Sequence, residues 1–489
     1  MLGNSKNIKN SLYINSFIET MELRRAKKQE VLEKHTQVAV VPRKINFSTK
    51  SHFLISSENL NGRKILNIPI RADKFNWLTN SSNKRLKLDI SKKSDLYISK
   101  YPINLRHKQP HLFLMIFVDG LAMEVLKASQ LSKNMPNTED FFSSGAMFKN
   151  NYATSDWSLP SLASIFTGQK TIDHHLWHPS KSFALNPKSP YLPRQLREHG
   201  FNNFQISSNW RQSPFYGYAR DFHRSLYLRN ASDEDAFKKF FENDEKLRHA
   251  KRFFFLTLFS LHRNNEAQLD FFTNSFELST NNPILIKKSV NLEFDMFLKE
   301  KYINAINYLD NQLNSLYEYV NKISKSSEVT VMMVSDHGQS FLDKTNNRDS
   351  LTETRLKVPI FIYSNRMKKS GYNKITSNTD IMPLVISLVD KSLDSVELVH
   401  KINRNLPIRE IARAESIYPN KPYELMLITN KSKYHFKSLE KVSEQGHIPI
   451  ELIDKFNHSD LDVNEKRLIT KELELIKTEL NDHNAKIKN

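Results

Sequence analysis

The sequence predicts an α/β fold built around a buried parallel sheet, and three long apolar runs carry that prediction. The runs are His111–Val118, Lys251–Leu261 and Glu328–Val334. Apolar runs of this kind are typical of parallel strands that are buried on both faces. Each run is followed by ionisable residues, and open α/β sheets bind their ligands at the carboxyl ends of the strands. We therefore expect one shared site at that edge of the sheet.

Composition narrows the classes of partner. The chain has 489 residues, and 72 Lys and Arg against 53 Asp and Glu give a formal charge of +19. Such an excess favours anionic partners, including phosphate or sulfate esters, acidic polysaccharides and anionic lipids. The chain lacks the aromatic-basic motifs of the usual nucleic-acid-binding modules, so nucleic acid is not expected. The absence of cysteine excludes disulfides, thiolate metal sites and cysteine nucleophiles.

The first hundred residues form an accessory region without a chemical motif. Apolar residues between Leu12 and Leu32 recur loosely at helical spacing with basic residues between them, which predicts a basic helix. Short β-like pieces follow at Val38–Val41, Phe53–Ile55 and Ile65–Ile70. A solvated charged face, rather than a membrane or nucleic-acid contact, is the expected role of the helix.

Two of the predicted strands end in candidate metal ligands. Asp119 follows the first, and Asp336 and His337 follow the last. A carboxylate beside an imidazole suits Mn²⁺, Zn²⁺ or Mg²⁺. Asp119 alone has two interpretations, because an acid at a strand end is either a metal ligand or the cap of the next helix.

The stretch 150–168 contains the candidate nucleophile. Pro160 suits a first helical turn, which places Ser158 just outside the start of a helix, where outward-pointing N–H groups favour negative charge. A hydroxyl held there suits attack on phosphorus or sulfur. The alternative is an ordinary N-cap serine.

The remaining candidates are less specific. His262 ends the Lys251–Leu261 run, and Lys357 begins a fourth apolar run that extends to Tyr363. Near the C-terminus, apolar residues between Glu465 and Ile487 predict an amphipathic helix that either covers the domain or pairs with another chain.

The order of these landmarks resembles the sulfatase-like branch of the alkaline phosphatase superfamily, over roughly Pro110 to Phe436. Asp119 closes what resembles the first metal-binding strand of that family, and Ser158–Gly168 resembles its signature, which begins with Cys or Ser and ends in Thr-Gly. The further segments that carry the resemblance are Met135–Asn137, Asn151–Ala153, His174, Leu192–Phe201, Tyr302–Asp310, Ser335–Gly338, Glu353–Pro359 and Thr379–Pro383.

The resemblance implies a mixed sheet sandwiched by helices, as in alkaline phosphatase, and a double displacement through a hydroxyl nucleophile. Ser158 is the first candidate nucleophile, and Thr154 is the second because Thr154-Ser155-Asp156 resembles the threonine segment of phosphoglycerol and phosphoethanolamine transferases. The implied metal ligands are Asp119, Asp336 and His337. His174 and His262 would stabilise charge or protonate the leaving group, and Lys357 or Lys344 would neutralise the anion, with His175 and His178 flanking the pocket.

Departures from the signature keep two functions open. The signature cysteine is replaced by Ser158 and its arginine by Leu162, so formylglycine is not expected at Ser158. The first expectation is a metal-dependent sulfatase-like hydrolase or transferase that acts on a sulfate or phosphate ester. The alternative is a catalytically silent relative that binds an anionic glycan or another partner.

The resulting expectations cover domains, cofactor, substrate and location. They are an accessory region at 1–109, a catalytic domain at 110–440, and a charged helical tail at 441–489 that could mediate self-association. One divalent ion is expected, Mn²⁺, Ca²⁺ or Mg²⁺, and the substrate is an anionic ester of a sugar, a lipid head group or a polysaccharide. No apolar run approaches the roughly 20 residues of a membrane helix, and the start lacks a signal-peptide core, so a cytoplasmic location is expected.

Overall fold

The computed structural model describes most of the chain, in segments separated by short gaps and two longer ones. The described residues are 17–27, 29–42, 51–59, 62–70, 76–83, 85–89, 96–178, 185–212, 216–228, 231–261, 294–344, 349–390, 409–454 and 463–488. His262, one of the candidate site residues, lies outside them.

Twenty-four strands are present in the described segments. The strands before Pro110 are β1 (Phe17–Thr20), β2 (Leu23–Arg25), β3 (Gln29–Leu32), β4 (Thr36–Pro42), β5 (Ser51–Asn59), β6 (Gly62–Ile70), β7 (Asn76–Asn80), β8 (Leu86–Asp89), β9 (Leu96–Ser99) and β10 (Ile103–Asn104). The next strands are β11 (His111–Val118), β12 (Ala146–Phe148), β13 (Asn151–Tyr152), β14 (Asn202–Ser207), β15 (Arg224–Leu228), β16 (Lys251–Leu258), β17 (Glu328–Val334), β18 (Ile360–Ser364), β19 (Ser370–Tyr372) and β20 (Thr376–Ser377). The last four are β21 (Ala412–Ser416), β22 (Pro422–Ile428), β23 (Lys433–Lys441) and β24 (Leu452–Asp454).

The α-helices of the described segments all follow β11. They are α1 (Ala128–Asn134), α2 (Pro136–Phe142), α3 (Ser158–Thr167), α4 (Thr171–His174), α5 (Leu192–Glu198), α6 (Asp233–Lys246), α7 (Met296–Ser324), α8 (Glu353–Leu356), α9 (Ile381–Val389) and α10 (Val463–Lys488). Short 3₁₀ helices lie at Met123–Leu126, Trp210–Gln212, Ser340–Leu342 and Asn378–Asp380.

A nine-stranded sheet forms the centre of the molecule, in the order β1-β15-β14-β16-β11-β17-β18-β12-β19. The five strands from β15 to β17 run parallel, whereas β1 and β18 pair antiparallel to their neighbours. Strands β11, β16 and β17 are the three apolar runs of the sequence. The predicted α/β fold with a mixed sheet between helices is therefore confirmed.

Alternation along β11 shows how the sheet separates two apolar layers. Leu112, Leu114 and Ile116 point to one side, where they pack with residues of α2, α6 and α7. Phe113, Met115 and Phe117 point to the other side, where they pack with residues of α3, α5 and α9. A strand covered on both faces needs apolar residues at every position, which explains the continuous run.

The N-terminal segment corrects one expectation. The basic helix predicted between Leu12 and Leu32 is wrong over residues 17–32, apart from Lys28, because the chain forms β1, β2 and β3 there. Each of these short strands pairs with a distant segment, β1 with β15, β2 with β9 and β3 with β8. Pairing of this kind depends on remote residues, so helical spacing over a short polar stretch was a poor guide.

A four-stranded antiparallel sheet of β21 to β24 and the helix α10 close the C-terminal end. The helix predicted there is confirmed, and its residues Ile469, Ile476 and Leu480 are buried in a cluster with Trp177 and Tyr423. The apolar face of the helix thus covers its own chain. No described helix combines the length and apolarity needed to cross a bilayer.

Candidate active site

Parallel register brings the ends of β11 and β17 together. Phe117 pairs with Val334 at the last shared position of the two strands. The chain beyond each strand therefore emerges at the same edge, and the backbone N–H of Gly120 donates a 3.0 Å hydrogen bond to Oδ1 of Asp336. This bond fixes the two strand ends relative to each other across 216 residues of sequence.

Asp119, Asp336 and His337 form one buried cluster at this edge. Each offers one ligand atom, and these three atoms lie within 4.8 Å of one another. Nε2 of His337 lies 3.4 Å from Oδ2 of Asp336 and 3.9 Å from Oδ1 of Asp119. Among the described residues, no other group of three His, Asp or Glu side chains has this spacing.

The imidazole of His337 is oriented by its own backbone neighbour. Nδ1 lies 2.9 Å from the carbonyl oxygen of Gly338. A carbonyl only accepts, so Nδ1 carries the proton and Nε2 faces the carboxylates with its lone pair. A backbone carbonyl that fixes the tautomer in this way is typical of metal-ligating histidines.

The electrostatics of the cluster favour a bound cation. Burial and the neighbouring Asp336 raise the pKa of Asp119 well above its usual range, and burial likewise raises the pKa of Asp336. Oδ1 of Asp119 and Oδ2 of Asp336 are buried without a hydrogen bond from any described residue. Two buried carboxylates with one orphaned oxygen each, beside an imidazole lone pair, fit the donor set of a divalent cation.

Ser158 joins this cluster from the first residue of α3. Its Oγ donates a 3.1 Å hydrogen bond to Oδ2 of Asp119 and lies 3.4 Å from Nε2 of His337. The N-cap of the helix is Trp157, which makes no side-chain cap bond, so the interpretation of Ser158 as an ordinary N-cap is wrong. The expected position just outside the helix is also corrected by one residue.

Three polar residues of the site have no counterpart in the sequence-based expectations. Asn209 donates a 2.9 Å hydrogen bond from Nδ2 to Oδ2 of Asp119. The charge of Arg211 opposes the rise in the pKa of Asp119, and Asp336 and Asp119 help Arg355 to keep its charge. Asn209 and Arg211 follow β14, a parallel strand of the same sheet, so the rule for strand ends could have found them.

Arg355 is a buried cation close enough to the cluster to interact with it. Its side chain is 6% exposed, and Nε donates a 2.7 Å hydrogen bond to the carbonyl of Asp156. Burial lowers the pKa of its guanidinium, and the charges of Asp156, Asp336 and Asp119 oppose that change. The hydrogen bond from Arg355 to Asp156 connects the segment that precedes α3 with α8.

The other predicted site residues are not joined to the cluster by a described contact. His174 is buried beside the far half of α3, with Nε2 3.2 Å from Oγ of Ser164 and Nδ1 accepting from the backbone N–H of Leu176 at 3.0 Å. Burial lowers the pKa of His174 to about 3. Ser164 lies six residues beyond Ser158, about 9 Å along the helix axis.

Thr154 and Lys357 are likewise not joined to the cluster of Asp119, Asp336 and His337 by a described contact. The hydroxyl of Thr154 is buried and has no hydrogen-bond partner among the described residues. Nζ of Lys357 lies 5.9 Å from the ring centre of Tyr152, and burial lowers the pKa of this lysine. Lys344 is exposed, with Nζ 5.7 Å from the ring centre of Phe294.

The two histidines expected to flank the pocket contact the C-terminal part of the chain. His175 meets His483 of α10, and Nε2 of His178 lies 3.2 Å from the carbonyl of Glu444. His337 is thus the histidine that the described contacts place with Asp119 and Asp336.

The chain resembles a known protein family in sequence. Residues 111–391 match the family model described as Sulfatase. No curated protein matches the chain.

Several solved structures resemble the chain in fold. A candidate sulfatase from Bacteroides thetaiotaomicron has a TM-score of 0.56 at 15% identity, covering 77% of this chain and 93% of that one. A 2-O GAG sulfatase has a TM-score of 0.53 at 15% identity, with 78% and 93% covered. A protein solved with its substrate D-glucosamine-2-N,6-O-disulfate has a TM-score of 0.51 at 14% identity, with 77% and 99% covered.

Proposed function

The chain belongs to the sulfatase family, and on that premise we propose that it hydrolyses a sulfate ester, with Ser158 as nucleophile and one divalent cation held by Asp119, Asp336 and His337. The observation that carries the proposal is the position of the Ser158 hydroxyl. It lies 3.1 Å from Oδ2 of Asp119 and 3.4 Å from Nε2 of His337. A buried hydroxyl in contact with an anionic cluster that suits a cation is placed for attack on an electrophilic centre.

The residues of the chain have separable tasks in this reaction. The bond from Ser158 to Asp119 orients Oγ and gives its proton an acceptor. A second hydrogen bond to the same oxygen, from Nδ2 of Asn209, helps to hold that carboxylate in place. When bound, a divalent cation supplies charge stabilisation to the anionic oxygens of the ester and lowers the pKa of a nearby hydroxyl.

Attack of Oγ on sulfur forms a serine ester and breaks the bond to the leaving alcohol, which takes up a proton. Water then attacks the sulfur of this ester, which restores the serine hydroxyl and releases sulfate. This step is slow unless Ser158 is oxidised to formylglycine, whose hydrate expels sulfate. Arg211 and Arg355 carry the positive charge close to the carboxylate cluster. They support binding of an anionic group there, because guanidinium groups pair well with sulfate and phosphate oxygens.

Sulfated sugars are the substrate class that the relatives favour. One solved structure of similar fold holds glucosamine disulfate, and another is a 2-O GAG sulfatase. The formal charge of +19 suits an acidic polysaccharide of this kind.

Phosphate esters are the second candidate, and an unmodified Ser158 favours them. A serine hydroxyl forms a sulfo-enzyme that is hard to release, whereas formylglycine expels sulfate through its hydrate. Intact-mass measurement distinguishes the two. Oxidation at Ser158 supports sulfate chemistry, and an unoxidised Ser158 moves the proposal to phosphoryl hydrolysis or transfer.

The central test is the substitution Ser158→Ala, assayed with aryl sulfate and aryl phosphate substrates. We expect turnover to fall by several orders of magnitude, because removal of a nucleophile leaves only binding and electrostatic contributions. The matched control is Ser161→Ala, which removes a buried hydroxyl of the same helix that bonds to the carbonyl of Ser155.

Thr154→Ala completes the set, because Thr154 is the second candidate nucleophile. A small effect is expected for it. A large loss in Thr154→Ala with an active Ser158→Ala would transfer the role to Thr154. Full activity in both variants would refute nucleophilic catalysis from this stretch.

A catalytically silent relative that binds an anionic glycan is the competing function, and Leu162 favours it. Leu162, in place of the signature arginine, is fully buried in the apolar layer of α3 and brings no charge to the site. Absence of turnover on a panel of sulfated glycans and phosphodiesters, together with absence of a divalent metal after chelator-free purification, would establish this alternative.

A further inference from the structure

A pair of histidines connects the segment after α4 with the C-terminal helix. Nδ1 of His175 lies 3.3 Å from Nδ1 of His483, and the two residues are 308 positions apart. Their ring centres are 5.2 Å apart, with 27° between the ring planes. The contact exists only when α10 is docked on the rest of the chain.

The tautomer of His483 follows from its second nitrogen. Nε2 lies 3.1 Å from the carbonyl oxygen of Gly446, which only accepts, so Nε2 carries the proton. The lone pair of Nδ1 therefore faces His175. An imidazole whose far N–H is held by a backbone carbonyl has the arrangement usual for metal ligands.

Both rings are held in position by the fold. His483 is 6% exposed and packs against Trp177, with ring centres 5.6 Å apart. His175 is the C-cap residue that follows α4, and its backbone is left-handed, at φ 57°. Non-glycine residues adopt this conformation infrequently, so the surroundings of His175 select it.

A cavity of about 280 Å³ lies beside the pair, and its polar lining includes Asp173, Glu479, Asp482 and Lys486. Glu479 is engaged by Lys170 and Arg413. Asp173 and Asp482 are then the carboxylates of the lining whose charge favours a cation in the cavity, and the charge of Lys486 opposes one.

We propose that His175 and His483 are ligands of a divalent transition metal such as Zn²⁺, with water completing its coordination. Two nitrogens that lie about 2.0–2.1 Å from a tetrahedral ion are separated by about 3.3 Å, which is the distance between these two Nδ1 atoms. Imidazole ligands favour zinc, copper or nickel over magnesium or calcium. The ion would fasten α10 to the segment after α4, a role separate from the chemistry at Asp119.

The test uses the untagged full-length chain carrying Asp119→Asn, which weakens the carboxylate cluster as a second zinc site. Zinc is titrated by calorimetry at micromolar concentrations, and cobalt is titrated by absorbance. We expect one zinc per chain, a tetrahedral cobalt spectrum, and a melting temperature that rises with zinc, because the ion binds only when the two histidines meet.

His175→Ala and His483→Ala in the same background should each weaken zinc binding at least tenfold and abolish the rise in melting temperature. The matched control His199→Ala changes an exposed histidine and should leave both unchanged. If His483→Ala does not fold, as judged by circular dichroism, His175→Ala carries the test, because that residue is only partly buried.

Absence of zinc binding in the Asp119→Asn background would overturn the proposal and leave the pair as an N–H···N hydrogen bond between neutral imidazoles. Zinc binding that persists in His175→Ala would overturn it equally, by placing the ion elsewhere.

Discussion

Asp119 and Asp336 place two carboxylates in one buried cluster, and this arrangement is costly without a counter-charge. Burial together with the neighbouring Asp336 raises the pKa of Asp119, which means that ionisation is disfavoured by the fold itself. Arg211 offsets only part of this effect. A divalent ion would offset the rest, so metal binding and stability should be linked at these residues.

The first prediction concerns Asp119→Asn in the otherwise native chain. Adding Mn²⁺ to chelator-treated native protein should raise its melting temperature by several degrees, and Asp119→Asn should lose most of that rise. Differential scanning fluorimetry with and without Mn²⁺ measures both. The control Asp140→Asn, an exposed acid of α2, should keep the full rise. An equal rise in both variants would contradict metal binding by the carboxylate cluster.

At the scale of elements, the Asp-His-Gly turn after β17 is packed against two other segments. A Cβ at Gly338 would lie 2.1 Å from the carbonyl oxygen of Thr354 and 2.8 Å from Cβ of Ala122. The carbonyl of Thr354 belongs to the backbone, so it cannot move aside as the end of a flexible side chain can. The absence of a side chain at Gly338 therefore lets α8 and the segment after β11 close around His337.

The second prediction is that Gly338→Ala destabilises the protein by about 3 kcal/mol or more, because overpacking against backbone has no local relief. Activity should fall as well, since the change displaces His337. Gly371→Ala is the matched control: a Cβ there meets nothing within 4 Å, and a change of under about 1 kcal/mol is expected. Urea denaturation of both variants decides the matter, and similar midpoints would refute the packing argument.

At the scale of the whole molecule, Glu424 connects the C-terminal sheet to the segment that leads into α8. Its Oε2 accepts from the backbone N–H of Ser350 at 3.1 Å, and its carboxylate contacts His435 and Lys437. Burial opposes the charge of Glu424, but the hydrogen bonds from His435 and Lys437 outweigh it and lower the pKa to about 2. The C-terminal sheet is in this way joined to the elements that carry Arg355.

The third prediction follows from the sign of that shift. Because the folded pKa of Glu424 lies below its ordinary value of 4.5, its stabilisation is present above pH 4.5 and is lost as the pH falls towards 2. The full contribution is about 3 kcal/mol. Glu424→Gln should lower stability at neutral pH and flatten the acid limb of the stability profile between these values.

The control for this prediction is Glu440→Gln, which changes an exposed glutamate of β23. Its stability profile should match that of the native chain. An acid limb in Glu424→Gln as steep as the native one would show that other groups govern acid unfolding.

The sequence predicted the parts of the fold whose signal is local. Strands β11 and β17 are covered on both faces, so their apolar runs and the positions of Asp119, Asp336 and His337 could be inferred directly. Strand β1 pairs with β15 across more than 200 residues, from Phe17 to Leu228, and no local pattern specifies that contact. Arg355 was missed for a similar reason, since a polar residue in a short helix has no periodicity that marks it.

The roles of the site residues and the boundaries at 109 and 440 stay predictions. Strand β23 runs to Lys441, one residue past the second boundary, and α10 shares a cluster with Trp177. The C-terminal part is therefore packed onto the region that matches the Sulfatase family model as well as following it in sequence.

The bond between Gly120 and Asp336 has a consequence for synthesis of the chain. It joins two residues that are 216 positions apart in the sequence. Ribosomes add about 5–20 residues per second, so Asp336 is synthesised roughly 10–40 s after Gly120. Strand β11 is an eight-residue apolar strand that pairs with β16 and β17. It lacks each of these partners until that partner is synthesised. Loop closure over such distances slows folding, so maturation of the site should depend on chaperones that shield nascent apolar segments.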